Sequence, residues 1–280
     1  MDLRLYKTAT SGNVDLFKKL AGENLNLLLN ETPLENTVLH LAAKVGHEDL
    51  VKEGCEKCES LLAKTNSKGD TALHIAARSG HLSIVNFPVE KSISVSTSID
   101  VERGNQTNII PGIQNQGNNT VLHEALRYHH SKVAKVLMEK CPILWGVVNE
   151  AAGNGNTRTT LEIYPDVVDL IDNKGQNAIQ VCIGNYKKDM QGYNQDVLNC
   201  FMSMVWHDDL LNQPDIDGNT PLHLAVVNRS PGMVSSMLKN RGRIDTVAMN
   251  KDNFTPLDLA LSGINPIPEE VLFSFHAPKV

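Results

Sequence analysis

Apolar positions in this chain fall into short runs that recur with the same polar frame. The clearest run is 219–226, N-T-P-L-H-L-A-V, and near copies start at Asn36 (N-T-V-L-H-L-A-A), Asp70 (D-T-A-L-H-I-A-A) and Asn119 (N-T-V-L-H-E-A-L). A worn copy, F-T-P-L-D-L-A-L, starts at Phe254. In each, the Thr (Thr37, Thr71, Thr120, Thr220, Thr255) stands where its side-chain oxygen can accept the free N–H groups of a first helical turn, so it predicts an N-cap. Pro221 and Pro256 then occupy the first helical position, where φ is already suitable and no donor is lost. Leu39, Leu73, Leu122, Leu222 and Leu257 share a face with the Ala that follows two or three residues later, and that small side chain lets a neighbouring helix come close. Gly46 and Gly80 close the first helix where a left-handed backbone is expected. The pattern predicts helical hairpins that bury their apolar stripe against the next hairpin.

The octet T-P-L-H-x-A resembles the mark of the ankyrin repeat, a turn plus two antiparallel helices in roughly 33 residues. Thr37 to Thr71 is 34 residues and Thr220 to Thr255 is 35, both close to one repeat. Thr71 to Thr120 is 49, Thr120 to Asn177 (in the faded octet Q-N-A-I-Q-V-C-I) is 57, and Asn177 to Thr220 is 43. The expected fold class is therefore all-α, a solenoid of stacked helix-turn-helix units with one long insertion and one incomplete repeat, forming a single elongated domain over 1–280.

The expected boundaries are an N-terminal cap at 1–35, repeats at 36–69 and 70–118 (with a loop insertion over 89–118), a repeat at 119–152, an incomplete one at 153–175, then 176–218 with a second insertion, 219–253, and a C-terminal cap at 254–280. Leu5-Tyr6 aligns with Leu-His and Ala9 with the second Ala, while Arg4, Lys7, Lys18 and Lys19 give the first hairpin the wet outer face a terminal repeat needs. The first full repeat predicts helices near 38–45 and 48–58. Pro88 falls inside an expected second helix and should stop or kink it near Phe87. His129-His130 replaces Gly-His, so that inter-helix turn is made without glycine. Pro142 and Pro165 end similar stretches only 23 residues apart, which leaves about one helix missing between them. A polar insert over 184–194 precedes an amphipathic helix at about 195–205, and Pro268 can open one short last helix.

Composition narrows the function. Aromatics are only 5% of the 280 residues, which suits a core of Leu, Val and Ala between stacked helices. Net charge is -6 and no Lys/Arg run occurs, so nothing favours nucleic acid as a partner. Five scattered cysteines make no disulfide framework and point to a reducing compartment. The start, M-D-L-R-L-Y-K, has no signal-peptide core, and the apolar stretches are far short of the roughly 20 residues of a transmembrane segment. A soluble, cytoplasmic chain is expected.

Four histidines (His40, His74, His123, His223) share one octet position, which invites a metal or acid–base reading. Whole-repeat separation places each on a different layer, so the reading favoured is an imidazole bonded to the turn backbone and the octet Thr. Cys55-Glu56-Lys57-Cys58 is a C-x-x-C, but no second pair of ligands and no βαβ context accompany it, which favours packing on a second helix over zinc or redox chemistry. The sequons at Asn30, Asn105, Asn118, Asn228 and Asn253 read as turn chemistry, and Ser92–Ser98 as a solvated loop that could be phosphorylated. No catalytic constellation, metal site or cofactor site is expected, and so no enzyme.

What remains is surface. Residues at the ends of the first helices (Lys44, Val45, Arg78, Ser79, Arg127, Tyr128, Asn228) should line one side of the array. Turn tips (Asn66, Ser67, Lys68, Asp70, Asp215, Ile216, Asp217, Lys251, Asp252) should extend it into a protein-binding face, with Arg127 and Tyr128 near its middle.

Together, H-L-A-A-K-V-G-H, N-S-K-G-D-T-A-L-H-I-A-A-R-S-G-H-L-S-I-V, N-T-V-L-H-E-A-L-R-Y-H-H and D-N-K-G-Q-N resemble the plant ankyrin membrane proteins of the accelerated-cell-death group. The resemblance implies a non-enzymatic interaction protein of plant defence and salicylic-acid-linked cell-death signalling. It places the chain at the cytosolic side of the plasma membrane or endoplasmic reticulum, with full-length ankyrin membrane relatives among its partners. The alternative it leaves is the cytosolic ankyrin part of a membrane-associated channel or receptor-like assembly.

Overall fold

The computed structural model describes residues 1–87, 110–141, 171–185, 197–199, 201–202, 208–240 and 242–262, with 268, 271–272 and 275. These residues are helical or irregular, with no strand among them. The chain divides into two compact units, Met1–Leu144 and Trp145–Val280.

In the first unit the helices are α1 (Leu3–Ser11), α2 (Val14–Glu23), α3 (Val38–Val45), α4 (Glu48–Lys57), α5 (Ala72–Ser79), a helical stretch at 82–87, α6 (Val121–Arg127) and α7 (Ser131–Lys140). The first helices α1, α3, α5 and α6 pack side by side in that order, and α2 packs on α4. The octet explains why. Leu39, Leu73 and Leu122 are at most 1% exposed, and Ala42, Ala43, Ala76, Ala77 and Ala125 are fully buried between neighbouring helices. Burying each Leu contributes roughly 1.5–3 kcal/mol. The second unit carries α8 (Ala178–Gly184), α9 (Asp208–Asn212), α10 (Pro221–Val227), α11 (Pro231–Lys239) and α12 (Pro256–Leu261). Here α8, α10 and α12 are the neighbouring first helices.

The N-terminal hairpin is finished with charge. Asp2 accepts the Arg4 backbone N–H at 2.7 Å, the Arg4 side chain pairs with Asp2 and Glu23, and Lys7, Lys18 and Lys19 are exposed.

Between hairpins run five-residue turns at 32–36, 66–70 and 115–119 in the first unit, and at 172–176, 215–219 and 250–254 in the second. Each is closed by an N–H of its first residue to the carbonyl of its fifth, at 2.9–3.0 Å. In all but the 32–36 turn the first residue is Asn or Asp (Asn66, Asn115, Asp172, Asp215, Asn250), and its Oδ1 accepts the N–H groups of the third and fifth residues. The fourth residue takes a left-handed backbone in every turn, as Gly69, Gly175 and Gly218, or as Glu35, Asn118 and Asn253. This is an Asx turn extended by one residue.

Adjacent turns are joined by backbone bonds. Ser67 donates to the Leu34 carbonyl and Gln116 to that of Lys68; in the second unit Ile216 donates to Lys174 and Lys251 to Asp217, all at 3.0–3.1 Å. The 115–119 turn therefore docks on 66–70 as a direct neighbour, despite the 49 residues between Thr71 and Thr120. Most of the 89–118 insertion, the incomplete repeat at 153–175 and the insert at 184–194 lie outside the described residues. So does Pro88, and the helix before it reaches Phe87.

Candidate protein-interaction site

The octet threonines begin their helices as expected, each in a capping box whose third helical residue is His or, after Thr255, Asp, and Asn177 does the same in the faded octet with Gln180. Nδ1 of His40, His74, His123 and His223 lies 2.8 Å from the Thr hydroxyl and accepts the Thr backbone N–H at 3.1–3.3 Å. A nitrogen that accepts an N–H carries no proton, so Nε2 holds the hydrogen. That N–H of His40, His74 and His223 donates to the carbonyls of Asp70, Asn119 and Phe254 in the next turn, at 2.8–3.0 Å. Burial pushes all three imidazoles below their ordinary pKa, so they are neutral at pH 7. Each ring splices one repeat to the next.

Three further histidines make a second ladder that the sequence reading missed. Nε2 of His47 and His130 bonds to the carbonyls of Thr10 and Arg78 at 3.0 Å, and His81 reaches the Lys44 carbonyl at 3.4 Å. Their rings lie over Gly12, Gly46 and Gly80, where an added Cβ would come within 2.5–2.7 Å. The Gly-His spacing is the sequence signal for this contact. His129 takes the left-handed conformation of the missing glycine, with φ 63°.

The expected surface residues separate into two groups. Lys44, Val45, Lys68, Ser79, Tyr128, Asp217, Lys251 and Asp252 are exposed, as are Ser67 and Ile216. Asn66, Asp70 and Asp215 turn inwards: Asn66 and Asp215 hold their turns together, and Asp70 is 1% exposed. Asn228 is half-buried and donates to the Ile183 carbonyl at 3.2 Å. Arg78 and Arg127 are half-buried too.

The structure brings Lys68, Asp70, Arg78, Arg127 and Tyr128 together around one open groove of about 390 Å³ in the first unit, together with Asn115, Asn119 and Glu124. Arg78 lies across its floor. Nη1 and Nη2 donate to both oxygens of Asp70 at 2.8 and 2.9 Å, and Nε donates to Glu124 at 2.8 Å. Asn115 Nδ2 donates to the same two carboxylates, at 2.8 and 3.2 Å. Burial alone would raise the Asp70 pKa, but the bonds from Arg78 and Asn115 and the guanidinium charge hold it below the usual value. Glu124 is 3% exposed. Two buried carboxylates are tolerated here because one guanidinium serves both. The Arg78 guanidinium also sits 5.8 Å from the centre of the Tyr128 ring, a cation–π contact.

The cysteines have structural surroundings. Cys55 is buried, Cys58 Sγ lies 3.2 Å from Ser60 Oγ, and burial raises the thiols of Cys141 and Cys182 to about 12. Among the described residues no three His, Cys, Asp or Glu side chains are placed to hold a metal ion, and no helix is long and apolar enough to cross a membrane.

Comparison with known proteins agrees with this geometry. A model of three ankyrin repeats matches residues 5–99, and a single ankyrin-repeat model matches 217–251. No curated protein matches the sequence. Among solved structures, the ankyrin repeat domain of Bcl-3, a member of the IkappaB family, superposes with a TM-score of 0.67 at 16% identity, covering 99% of both chains. The human ASB11 ankyrin repeat domain gives 0.60 at 18%, also over 99% of both. The ankyrin repeat protein EF0377 gives 0.60 at 15%, over 84% of this chain and 96% of its own. The chain carries ankyrin repeats and has the all-α ankyrin-repeat solenoid fold. Such repeats are protein–protein interaction modules, and the fold is typically a non-enzymatic scaffold.

Proposed function

We propose that this chain binds another protein through the ends of its first helices and the tips of its inter-repeat turns, with the groove beside Arg127 and Tyr128 as the centre of contact. The observation that carries this reading is the groove itself, where a Tyr that is 48% exposed stands beside two arginines. Tyr and Arg dominate binding energy when a partner excludes water from them. Val45, 49% exposed, and Lys44 extend the surface along α3. In the second unit Asp217, Lys251 and Asp252 offer a separate set of exposed turn tips.

The test is affinity capture with the intact chain and with Arg127→Glu combined with Tyr128→Ala. Capture should fall at least tenfold, equivalent to about 1.4 kcal/mol, with an unchanged melting temperature. Undiminished capture refutes the site.

The finer reading, plant defence and salicylic-acid-linked cell-death signalling beside full-length ankyrin membrane relatives, is supported by the likeness of the quoted stretches. It predicts that such relatives are recovered by capture from plant tissue and that the chain co-fractionates with their membranes. A chain found only in the cytosol of cells expressing those relatives counts against it.

A further inference from the structure

The turns form a ladder with one open rung. In each turn-to-turn bond the second residue of a turn donates its N–H to the carbonyl of the third residue of the turn before, as Ser67 to Leu34, Gln116 to Lys68, Ile216 to Lys174 and Lys251 to Asp217. The third residue of the 250–254 turn is Asp252, and its carbonyl accepts no bond among the described residues. The octet that follows is open in the same way. Its eighth residue is 0–5% exposed as Ala43, Ala77, Leu126 and Val226, but 61% exposed as Leu261. Leu257 is only half-buried, whereas its counterparts Leu39, Leu73, Leu122 and Leu222 are at most 1% exposed, and Phe254 in the turn is exposed. A repeat that closes an array turns a polar face outwards, as the first hairpin does with Arg4, Lys7, Lys18 and Lys19. The last octet offers leucine instead.

Asp258 decides what can stack there. In the other joints the octet residue donates through Nε2 to the carbonyl of the fifth residue of the next turn: His40 to Asp70, His74 to Asn119, Gln180 to Asn219 and His223 to Phe254. Asp258 has no hydrogen to give. Its Oδ2 accepts the Thr255 hydroxyl and N–H, and its exposed Oδ1 has no partner among the described residues. The bonds from Thr255 hold its pKa below the usual value, so the carboxylate is charged at pH 7. A carbonyl set against it is repelled, whereas an ammonium or guanidinium is bound.

We infer that the open side of the last octet receives a helical-hairpin repeat of another protein, stacked in register, whose leading turn donates a backbone N–H to Asp252 and extends a Lys or Arg to Asp258. The interface already present between neighbouring repeats is thereby continued by one step, over Leu257 and Leu261. A second copy of this chain does not fit. Pro33 holds the second position of the 32–36 turn and has no N–H, and the matching N–H groups of the 66–70, 115–119, 215–219 and 250–254 turns are already committed. The inference uses residues of the second unit only and stands apart from the groove beside Tyr128.

The test is NMR titration of the ¹⁵N-labelled full chain with a designed array of consensus ankyrin repeats that lacks an N-terminal capping repeat. Two forms carry Lys or Glu at the fifth position of the first turn. The Lys form should shift the Asn253 and Asp258 amides saturably and bind about tenfold more tightly than the Glu form. Leu261→Glu, at an exposed position, should weaken the Lys form about tenfold, and Asp258→Asn, which keeps the cap acceptor, should erase the preference for Lys. Arg127→Glu with Tyr128→Ala should change neither. No saturable shift, equal binding of the two forms, indifference to Leu261→Glu or dependence on Tyr128 overturns the inference. So does self-association of the full chain in sedimentation that Leu261→Glu abolishes, since the occupant is then a second copy.

Discussion

Two joints between neighbouring repeats, one in each unit, use the same backbone and different chemistry. Where 66–70 meets 115–119, the splicing residue is His74, and Asp70, Arg78, Asn115 and Glu124 form an ionised cluster beside it. Where 172–176 meets 215–219, the splicing residue is Gln180. Its Oε1 accepts the Asn177 N–H at 2.9 Å, and its Nε2 donates to the Gln213 and Asn219 carbonyls at 3.0 and 2.9 Å. The places of Asp70, Arg78 and Glu124 are taken there by Gln176, Gly184 and Leu224.

The turn-to-turn backbone bond is 3.0 Å in both joints. Stacking therefore needs an acceptor towards the cap and a donor towards the next turn, and it does not need charge. Asp258 in the last octet keeps the acceptor half only, taking the Thr255 N–H at 2.9 Å. Stacking itself does not require the charges of the first joint, and this supports the interaction surface proposed there.

The largest expected effect comes from breaking that charge cluster. Arg78→Met strands two carboxylates that are 1% and 3% exposed and should cost about 3 kcal/mol in urea unfolding. Adding Asp70→Asn and Glu124→Gln should recover most of it, because the second joint stacks without those charges. Next come the turns, where the two joints should fail alike. Gly69→Ala and Gly175→Ala each force a side chain onto a left-handed backbone and towards the next turn, with Gln116 N at 2.8 Å and Ile216 N at 3.1 Å from the new Cβ, for a loss of roughly 2 kcal/mol each.

Acid should then tell the joints apart. Because the folded pKa of His40, His74 and His223 is depressed by burial, their contribution is complete above the unfolded value of about 6.5 and is lost as pH falls below it. His74→Gln should leave stability at pH 7 within about 1 kcal/mol and make the loss between pH 6.5 and 5 shallower by a similar amount, seen in urea midpoints against pH. The smallest effect is the reverse exchange, Gln180→His, which should add acid sensitivity to the second unit and change stability at pH 7 by less than about 1 kcal/mol.

The octets made the first helices legible, because Thr, Pro, Leu and Ala each act within one turn of helix or on its face. Helix α3 runs over Val38–Val45 as the pattern predicts, and α4 ends one residue earlier than expected. The role of the octet histidine was legible for the same reason. The turn residues were harder. Asn66, Asp70 and Asp215 read as wet tips, but the side chains of Asn66 and Asp215 fold back onto their own turn, and that of Asp70 is held inside by Arg78 and Asn115. The signal was present as Asn or Asp five residues before the octet Thr or Asn, at Asn66, Asn115, Asp172, Asp215 and Asn250. The groove was legible only in part. Arg78, Arg127 and Tyr128 were in view, whereas Asn115, Asn119 and Glu124 join them through the docking of two turns far apart in sequence.

The most direct measurement is the protonation state of the splicing histidines by two-bond ¹H–¹⁵N correlation NMR. The account predicts that the rings of His40, His74 and His223 are neutral at pH 7, carry their hydrogen on Nε2, and titrate below the ordinary imidazole value of about 6.5. Rings that carry the hydrogen on Nδ1, or that titrate as free imidazole does, would contradict it.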